Sequence, residues 1–459
     1  MIDFRGKRVL VMGLGLNGSG IASARFAAEH GATVRVTDKR SAEILAPSVQ
    51  ALAGLPIEFV LGQHREEDFR RAEIVIPVPG IRQDAPLLQL AREHGALVIQ
   101  EIALFFQACS GRILGVTGTR GKTTTTTLLY EMVRSTGLPA VLGGNVSGVE
   151  TLSLLPSIAP ETRVVLELSC WQLGWLAPFA MSPSVAVMTN VYPDHLDTYD
   201  SYEDYIQAKA NIFLHQRAGD LAVFNYDNAV TRRLGEHAPG RTWYASLERG
   251  GYFERGSSAL VPFVFLETPL KGQHNQENIL LATTAARLIG IPDEVIASTV
   301  RGFSGVAHRL EEVAVIDGVR YINDSASTMA VAGEAALRAC EVPLVVVAGG
   351  NTKHLPLGEW PRLIVERCRD VVLLRGSGTD ELLPALREEV ARQGAPNPVR
   401  GVYDTFPAAM ERAVSLARPG DTLLFSPGFT SFGMFLNEFD RGNTFVAYVR
   451  RLEERSQAG

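Results

Sequence analysis

Short β-branched runs recur along this 459-residue chain, and many end in a glycine-containing turn that opens a helical stretch. KRVLVM at 7–12, ATVRVT at 32–37, EIVI at 73–76 and ALVI at 96–99 form a first series. RILGVTG at 112–118, a helix expected over 122–136, RVVLEL at 163–168 and SVAVMTN at 184–190 form a second. After HRLEEV comes a third, with YIND at 321–324, PLVVVAGG at 343–350, DVVLLRG at 370–376 and DTLLFSPG at 421–428. Strands separated by helices pair most readily as parallel, doubly wound sheets, so the expected class is α/β in three successive blocks. At ~150 residues per domain the length also accommodates roughly three. The expected division is 1–109, 110–307 and 308–459, with 219–271, richer in aromatics and turns, adding β structure of its own.

Composition narrows the function classes. With 46% hydrophobic and 20% charged residues there is ample material for buried cores and little room for extended disorder. Lysine plus arginine number 44 against 50 acids, a formal charge of −6, so no basic excess exists to neutralise a nucleic-acid backbone. The four cysteines, Cys109, Cys170, Cys340 and Cys368, lack CxxC spacing and indicate neither a disulfide framework nor a structural zinc. No apolar stretch approaches the ~20 residues of a membrane span, and no signal core precedes the first strand. A cytoplasmic multidomain protein, with neither nucleic acid nor membrane as partner, is the expectation.

The first glycine turn, GLGLNG at 13–18, follows KRVLVM and opens a helix. Glycines there permit a tight turn and let backbone N–H groups approach a phosphate at a helix N-terminus. Asp38, twenty residues after Gly18 at the end of the next strand, is placed to hydrogen-bond a ribose. A nucleotide-diphosphate ligand is favoured over a merely structural turn, and both a UDP-sugar and a nicotinamide dinucleotide satisfy it.

The second turn, TGTRGKTT at 117–124, has the chemistry of a phosphate loop. Gly118, Thr119 and Gly121 would expose N–H groups, Lys122 would reach the β/γ-phosphates, and Thr123 and Thr124 would bring hydroxyls toward Mg²⁺. Val116 stands where the full GxxxxGK[ST] pattern has its first glycine. Glu167 and His195 follow strand ends, where open α/β sheets bind ligands, and are the candidate metal ligands. Lys209 in AKANIF reads from pattern alone as a solvated helix lysine.

An ordered set of motifs spans nearly the whole chain: GLGLNGSG, VPGI, TGTRGKTT, GGNVSG, LELS–WQL, TNVYPDHLD, AKANIF, GQHNQEN, AHRLE, NDSAST, GGNTK and SPGFTSFGMF–RGNTF. In this the chain resembles the Mur ligase family, ATP-dependent amide-forming enzymes of peptidoglycan precursor synthesis. The glycine turn and the tail are most similar to the branch that adds D-glutamate to UDP-N-acetylmuramoyl-L-alanine. The resemblance implies a Rossmann-like first domain, a P-loop ATPase-like central domain with a mainly parallel sheet, and a Rossmann-like third domain. It also implies ATP with Mg²⁺ or Mn²⁺, a carboxylate activated as an acyl phosphate, and a monomer. By resemblance, Leu16, Asn17, Asp38, Lys39 and Arg40 would hold the UDP moiety, with Gly80 and Asn145 near the diphosphate and sugar. Lys122 and Thr123 would contact ATP and metal, joined at the metal by Glu167, His195 and Lys209. Lys209 matches the lysine that the family carbamylates. His274, Asn275 and Asn278 would face the adenine, Arg309 and Asp324 would reach the nucleotide, and Thr328, Lys353 and Ser431 would hold the incoming amino acid.

Departures concentrate on the acceptor side. Ala326 stands where the family commonly has lysine, Met329 replaces an asparagine, Val78 replaces the serine of an SPG turn, and Glu438-Phe439 inverts an acid and an aromatic. Cys170-Trp171 stands where small residues or phenylalanine are usual, and Cys170, with no histidine to activate it, reads as packing. Ala326 keeps open the same ligase chemistry with L-glutamate or another amino acid. A nicotinamide-dependent oxidoreductase and a nucleotide-binding regulator without turnover are the alternatives from other classes. The phosphate loop speaks against the first, and the acid, histidine and lysine positions beyond that loop against the second.

Overall fold

The computed structural model describes residues 2–15, 18–146, 149–194, 199–264, 267–270, 272–352, 356–431 and 433–458. Two compact units divide the chain, Met1–Phe303 and Ser304–Gly459.

The first unit contains two sheets. One consists of β1 (Arg8–Met12), β2 (Thr33–Asp38), β3 (Ile57–Leu61), β4 (Ile74–Pro77) and β5 (Leu97–Val98), all parallel in the order β3-β2-β1-β4-β5. Val9, Leu10, Val11 and Met12 lie buried, which is why VLVM is a continuous apolar run and does not alternate. The chain reverses its direction of travel across the sheet between β1 and β4, so the turns after these two strands flank one crevice.

The larger sheet holds β6 (Arg112–Thr117), β7 (Ala140–Gly144), β8 (Arg163–Glu167), β9 (Val185–Met188), β10 (Leu221–Asn225), β11 (Arg241–Ser246), β12 (Gly251–Glu254) and β13 (Val261–Pro262). Their order is β13-β12-β11-β10-β9-β6-β8-β7, with only β12 and β13 entering antiparallel. The β structure expected between 219 and 271 is this extension. Because β6 lies between β8 and β9, the ends of three strands converge where the phosphate loop begins. Ser169 starts the helix Cys170–Leu176 with a capping box to Gln172, fixing the chain immediately after Glu167.

The second unit has one sheet: β14 (Glu311–Ile316), β15 (Val319–Asn323), β16 (Leu344–Gly349), β17 (Cys368–Leu374), β18 (Val399–Tyr403) and β19 (Thr422–Phe425). The order is β14-β15-β19-β16-β17-β18, parallel except for β14. The three mostly parallel sheets agree with the expected α/β class. Among the described residues, no helix is long and apolar enough to cross a membrane.

Candidate active site

The first glycine turn is held from below by a carboxylate. Leu14 and Gly15 donate their N–H groups to Asp38 Oδ2 at 2.9 and 3.0 Å, and Arg40 N–H donates to Oδ1 at 2.9 Å. Burial works against the charge on Asp38, but these three N–H donors outweigh it and hold its carboxyl below the ordinary range. Both oxygens are thus engaged in shaping the turn, a role that strand-end position alone did not reveal. Lys39 and Arg40 stand exposed beside it, and Gly80, at φ 91° with open space where a Cβ would be, lies after β4. Leu16 and Asn17 lie outside the described residues.

The phosphate loop links β6 to the helix Lys122–Arg134. Val116 belongs to the buried strand, paired with Glu167 and Val187, so the loop opens only at Gly118. A Cβ at Gly118 would lie 1.9 Å from Thr189 Oγ1, and one at Gly121 would lie 2.1 Å from Asn278 Oδ1. Both glycines are required by close approach, and Gly121 also by its φ of 78°. The segment after β9 fastens the loop. Arg120 N–H donates to Asn190 Oδ1 at 2.9 Å, and the Thr189 hydroxyl donates to Arg120 O at 2.6 Å. Thr119 Oγ1 accepts from Tyr192 N–H at 3.0 Å and lies 3.0 Å from the Tyr205 hydroxyl. Lys122 Nζ folds back onto Thr119 O at 3.1 Å, and Thr123 and Thr124 sit half-buried on the first helical turn.

Glu167 and Lys209 flank this loop. Glu167 ends β8, buried, with Oε1 accepting from Asn145 Nδ2 at 2.9 Å. Its Oε2 is buried without a hydrogen-bond partner. An ionised oxygen in that state is costly unless a cation or donor meets it, so the residue fits a hard divalent ion. Lys209 is 1% exposed and donates from Nζ to Gly118 O at 2.8 Å, with the Tyr205 ring centroid 4.6 Å away. Burial first, then the positive charge of Lys122, brings its pKa down to about 7. The solvated helix lysine suggested by pattern alone is therefore corrected to a buried one. His195, the other metal candidate, lies outside the described residues.

Asn278, on the helix Gln273–Leu288, is buried against the same loop and accepts from the Thr125 hydroxyl at 3.3 Å, while His274 is exposed near the start of that helix. Asn275 Oδ1 lies 3.5 Å from Asn278 Nδ2. The structure therefore brings the loop, Glu167, Lys209 and Asn278 together, the last of these against the loop itself. Sequence reasoning missed Thr189, Asn190 and Tyr205 as the residues that set the loop's shape. The TN dipeptide closing β9 was the available signal.

In the second unit the C-terminal strand ends again gather polar groups. Asp324, after β15, accepts from the Ser426 hydroxyl at 2.8 Å and from Leu310 N–H at 3.2 Å. Burial pushes its pKa up to about 7 against the opposing pull of these donors and of Arg309 and Arg441. His308 and Leu310 adopt left-handed backbone, at φ 65° and 47°, which aims the Leu310 N–H at the acid. Arg441, fully buried, donates to Phe429 O at 2.9 Å and Ser325 O at 2.7 Å, tying the NDSAST and SPGFTS loops together. Ser431 is buried and Thr328 half-buried on those loops, whereas Lys353 lies outside the described residues.

Comparison with known proteins follows the same lines. The profile of the Mur ligase middle domain matches residues 116–286, and that of the Mur ligase MurD-like N-terminal domain matches residues 7–100. A UDP-N-acetylmuramoylalanine--D-glutamate ligase of Roseiflexus sp. is 44% identical over 467 residues, covering 98% of this chain and 99% of its own length. A relative of the same name from Symbiobacterium thermophilum is 35% identical, covering 97% of this chain and 98% of its own. Among solved structures, UDP-N-acetylmuramate-alanine ligase from Thermotoga maritima superposes with a TM-score of 0.60 at 19% identity, over 97% of this chain and 99% of that one. A pseudomurein peptide ligase type C from Methanothermus fervidus gives 0.52 at 17% identity, over 96% and 99%. These two likenesses speak to the fold.

Proposed function

Because the chain belongs to the Mur ligase family, we propose that it is the ATP-dependent ligase that joins D-glutamate to UDP-N-acetylmuramoyl-L-alanine in cytoplasmic peptidoglycan precursor synthesis. Full-length similarity to relatives bearing that name carries the reading. The site is chemically suited to it: a phosphate loop, a buried orphan carboxylate oxygen and a buried lysine meet at the ends of β6 and β8.

Lys122 would swing from Thr119 O to the β/γ-phosphates and offset the charge that builds up as the γ-phosphoryl group leaves ADP for the substrate carboxylate. Gly118, Thr119, Gly121 and Thr124 would present the loop to the phosphates. Mg²⁺, or Mn²⁺, held by Glu167 with Thr123, His195 and Lys209, would supply further charge neutralisation and alignment. Asn145 keeps Glu167 Oε1 occupied and leaves Oε2 to the ion. Lys209, with its amine substantially neutral near pH 7, would carry a carbamate, whose negative charge suits a cation where an ammonium would repel it.

Within the proposed three domains, 1–109, 110–307 and 308–459, the remaining roles follow the family pattern. Leu16, Asn17, Asp38, Lys39, Arg40 and Gly80 would shape the uridine-nucleotide site. His274, Asn275 and Asn278 would lie toward the adenine, Arg309 and Asp324 toward the nucleotide, and Thr328, Lys353 and Ser431 toward glutamate. The protein would act as a monomer. Ala326 offers the acceptor no cation, so glutamate would depend on Lys353 for charge pairing and bind with weak apparent affinity.

Phosphate release with UDP-N-acetylmuramoyl-L-alanine and ATP, compared across D-glutamate, L-glutamate, L-lysine and glycine, tests the function. Turnover with D-glutamate is expected. Preference for L-glutamate overturns the stereochemical assignment, and preference for lysine or glycine overturns the dicarboxylate acceptor altogether.

A further inference from the structure

Glu101 opens the helix Glu101–Ala108, yet it is 7% exposed and has no part in the chemistry above. A carboxyl group buried to that degree is costly unless its oxygens are met by donors. Here the two oxygens are met by two different pieces of structure. Oε2 accepts from the hydroxyl of Ser19, which begins the helix leaving the first glycine turn. Oε1 accepts from Leu152 N–H at 3.4 Å, in the short 3₁₀ helix Thr151–Ser157.

From that 3₁₀ helix the chain of contacts continues inward. Thr151 Oγ1 accepts from Gly144 N–H at 3.0 Å, at the end of β7. Asn145 N–H donates to Glu167 O at 2.7 Å, and Asn145 Nδ2 donates to Glu167 Oε1 at 2.9 Å. Gly144 has no slack, since a Cβ there would lie 2.1 Å from Glu167 O. At the outer end a Cβ on Gly18 would lie 2.4 Å from Glu150 Oε1, so the turn packs directly on the residue preceding the 3₁₀ helix. An unbroken path of hydrogen bonds and tight contacts therefore runs from the first glycine turn to Glu167.

We infer that Glu101 is a positioning residue that couples the uridine-nucleotide site at the first glycine turn to the carboxylate of Glu167. The inference rests on the ligase function proposed above, which puts a diphosphate at the turn and a cation at Glu167. A diphosphate drawn to the N-terminus of the helix that Ser19 begins pulls on that helix. Glu101 passes that displacement to Leu152, and Thr151, Gly144 and Asn145 pass it to Glu167. Burial, reinforced by the charge of Glu150, raises the Glu101 pKa against the pull of the two donors. Coupling between binding sites is reciprocal, so the metal-nucleotide tightens the uridine substrate by the same factor as the reverse.

Isothermal titration of the full-length protein with UDP-N-acetylmuramoyl-L-alanine, with and without Mg²⁺ and a non-hydrolysable ATP analogue, measures that factor. The wild type should show about fivefold or greater mutual tightening, the lower end of the range usual for coupled sites. Glu101→Ala and Ser19→Ala should each bring the factor close to one, while either ligand alone binds within about threefold of wild type, a loss the intact Asp38 and Lys122 contacts prevent from growing larger. Glu101→Gln retains an acceptor for Leu152 N–H and should retain the coupling. A wild-type factor of one, or an unchanged factor in Ser19→Ala, overturns the inference, and Ser19→Ala decides it even if Glu101→Ala does not fold. Failure of the wild type to bind the uridine substrate at all instead overturns the function on which the inference rests.

Discussion

Lys209 Nζ donates to the carbonyl oxygen of Gly118 at 2.8 Å, joining a helix end to the phosphate loop across 91 positions of sequence. The bond draws the lysine into the interior, and that burial is the main reason its amine loses its proton near pH 7. A neutral amine can attack CO₂ at carbon, releasing a proton and leaving a carbamate. Lys209→Ala should be inactive and partly restored by a small added carboxylate. Full activity of the wild type in rigorously CO₂-free buffer would contradict the carbamate.

Lys122 is the loop's cation, and among the described residues its Nζ donates to Thr119 O. Lys122→Ala leaves the β/γ-phosphates without a positioned charge, and ATP-dependent turnover should fall by at least ~10³, the scale of such electrostatic groups. Steady-state phosphate release from a variant with wild-type circular dichroism is the check. Near-normal rates would exclude this loop as the site of phosphoryl transfer.

The loop and its helix were legible because strand, glycines, lysine and hydroxyls are contiguous in sequence. What escaped reading was either half-exposed or distant. β3, β7 and β18 were not expected, and all three are edge strands. An edge strand has one neighbour and part of its surface in solvent, so IEFVL, AVLGG and VRGVY lack the long apolar run that marked the central strands. Glu101 in QEIALFF looks like an ordinary acid at a helix N-terminus, where a dipole welcomes it. Only the fold brings Ser19 and Leu152 to it. Arg441 is similarly opaque, since the carbonyls it bonds lie 12 and 116 residues away.

Asp38 bears on the uridine end of the site. Its three N–H donors make it the keystone of the first glycine turn. Asp38→Ala orphans those donors and should destabilise the protein by about 1.5–3 kcal/mol, the usual worth of a hydrogen bond to a charged group. The KM for the uridine substrate should rise while the KM for ATP changes little. Thermal melting and two-substrate kinetics test both halves, and equal effects on both KM values would show that the turn is not specific to uridine.

Asp324 should leave a signature in the pH dependence of stability. Its folded pKa, about 7, stands above the ~3.9 of an unfolded aspartate. A raised value means that the folded state holds the proton more tightly, so this contribution is full below about pH 4 and is lost as pH rises toward about 7. Asp324→Asn, neutral throughout, should lose less stability than the wild type between pH 5 and pH 8. Melting temperatures of both proteins at the two pH values measure this, and parallel shifts would rule out a buried neutral Asp324.

Gly121 and Asn278 meet so closely that a single added carbon on the first would fall 2.1 Å from the amide oxygen of the second. A larger residue at position 121 must both displace the Asn278 amide and take up a left-handed backbone, so shortening Asn278 removes only the first barrier while it strips Thr125 of its acceptor. The phosphate loop is thus tied at its helix start to a helix more than 150 residues downstream, and position 121 keeps its glycine for the backbone whichever side chain stands at 278.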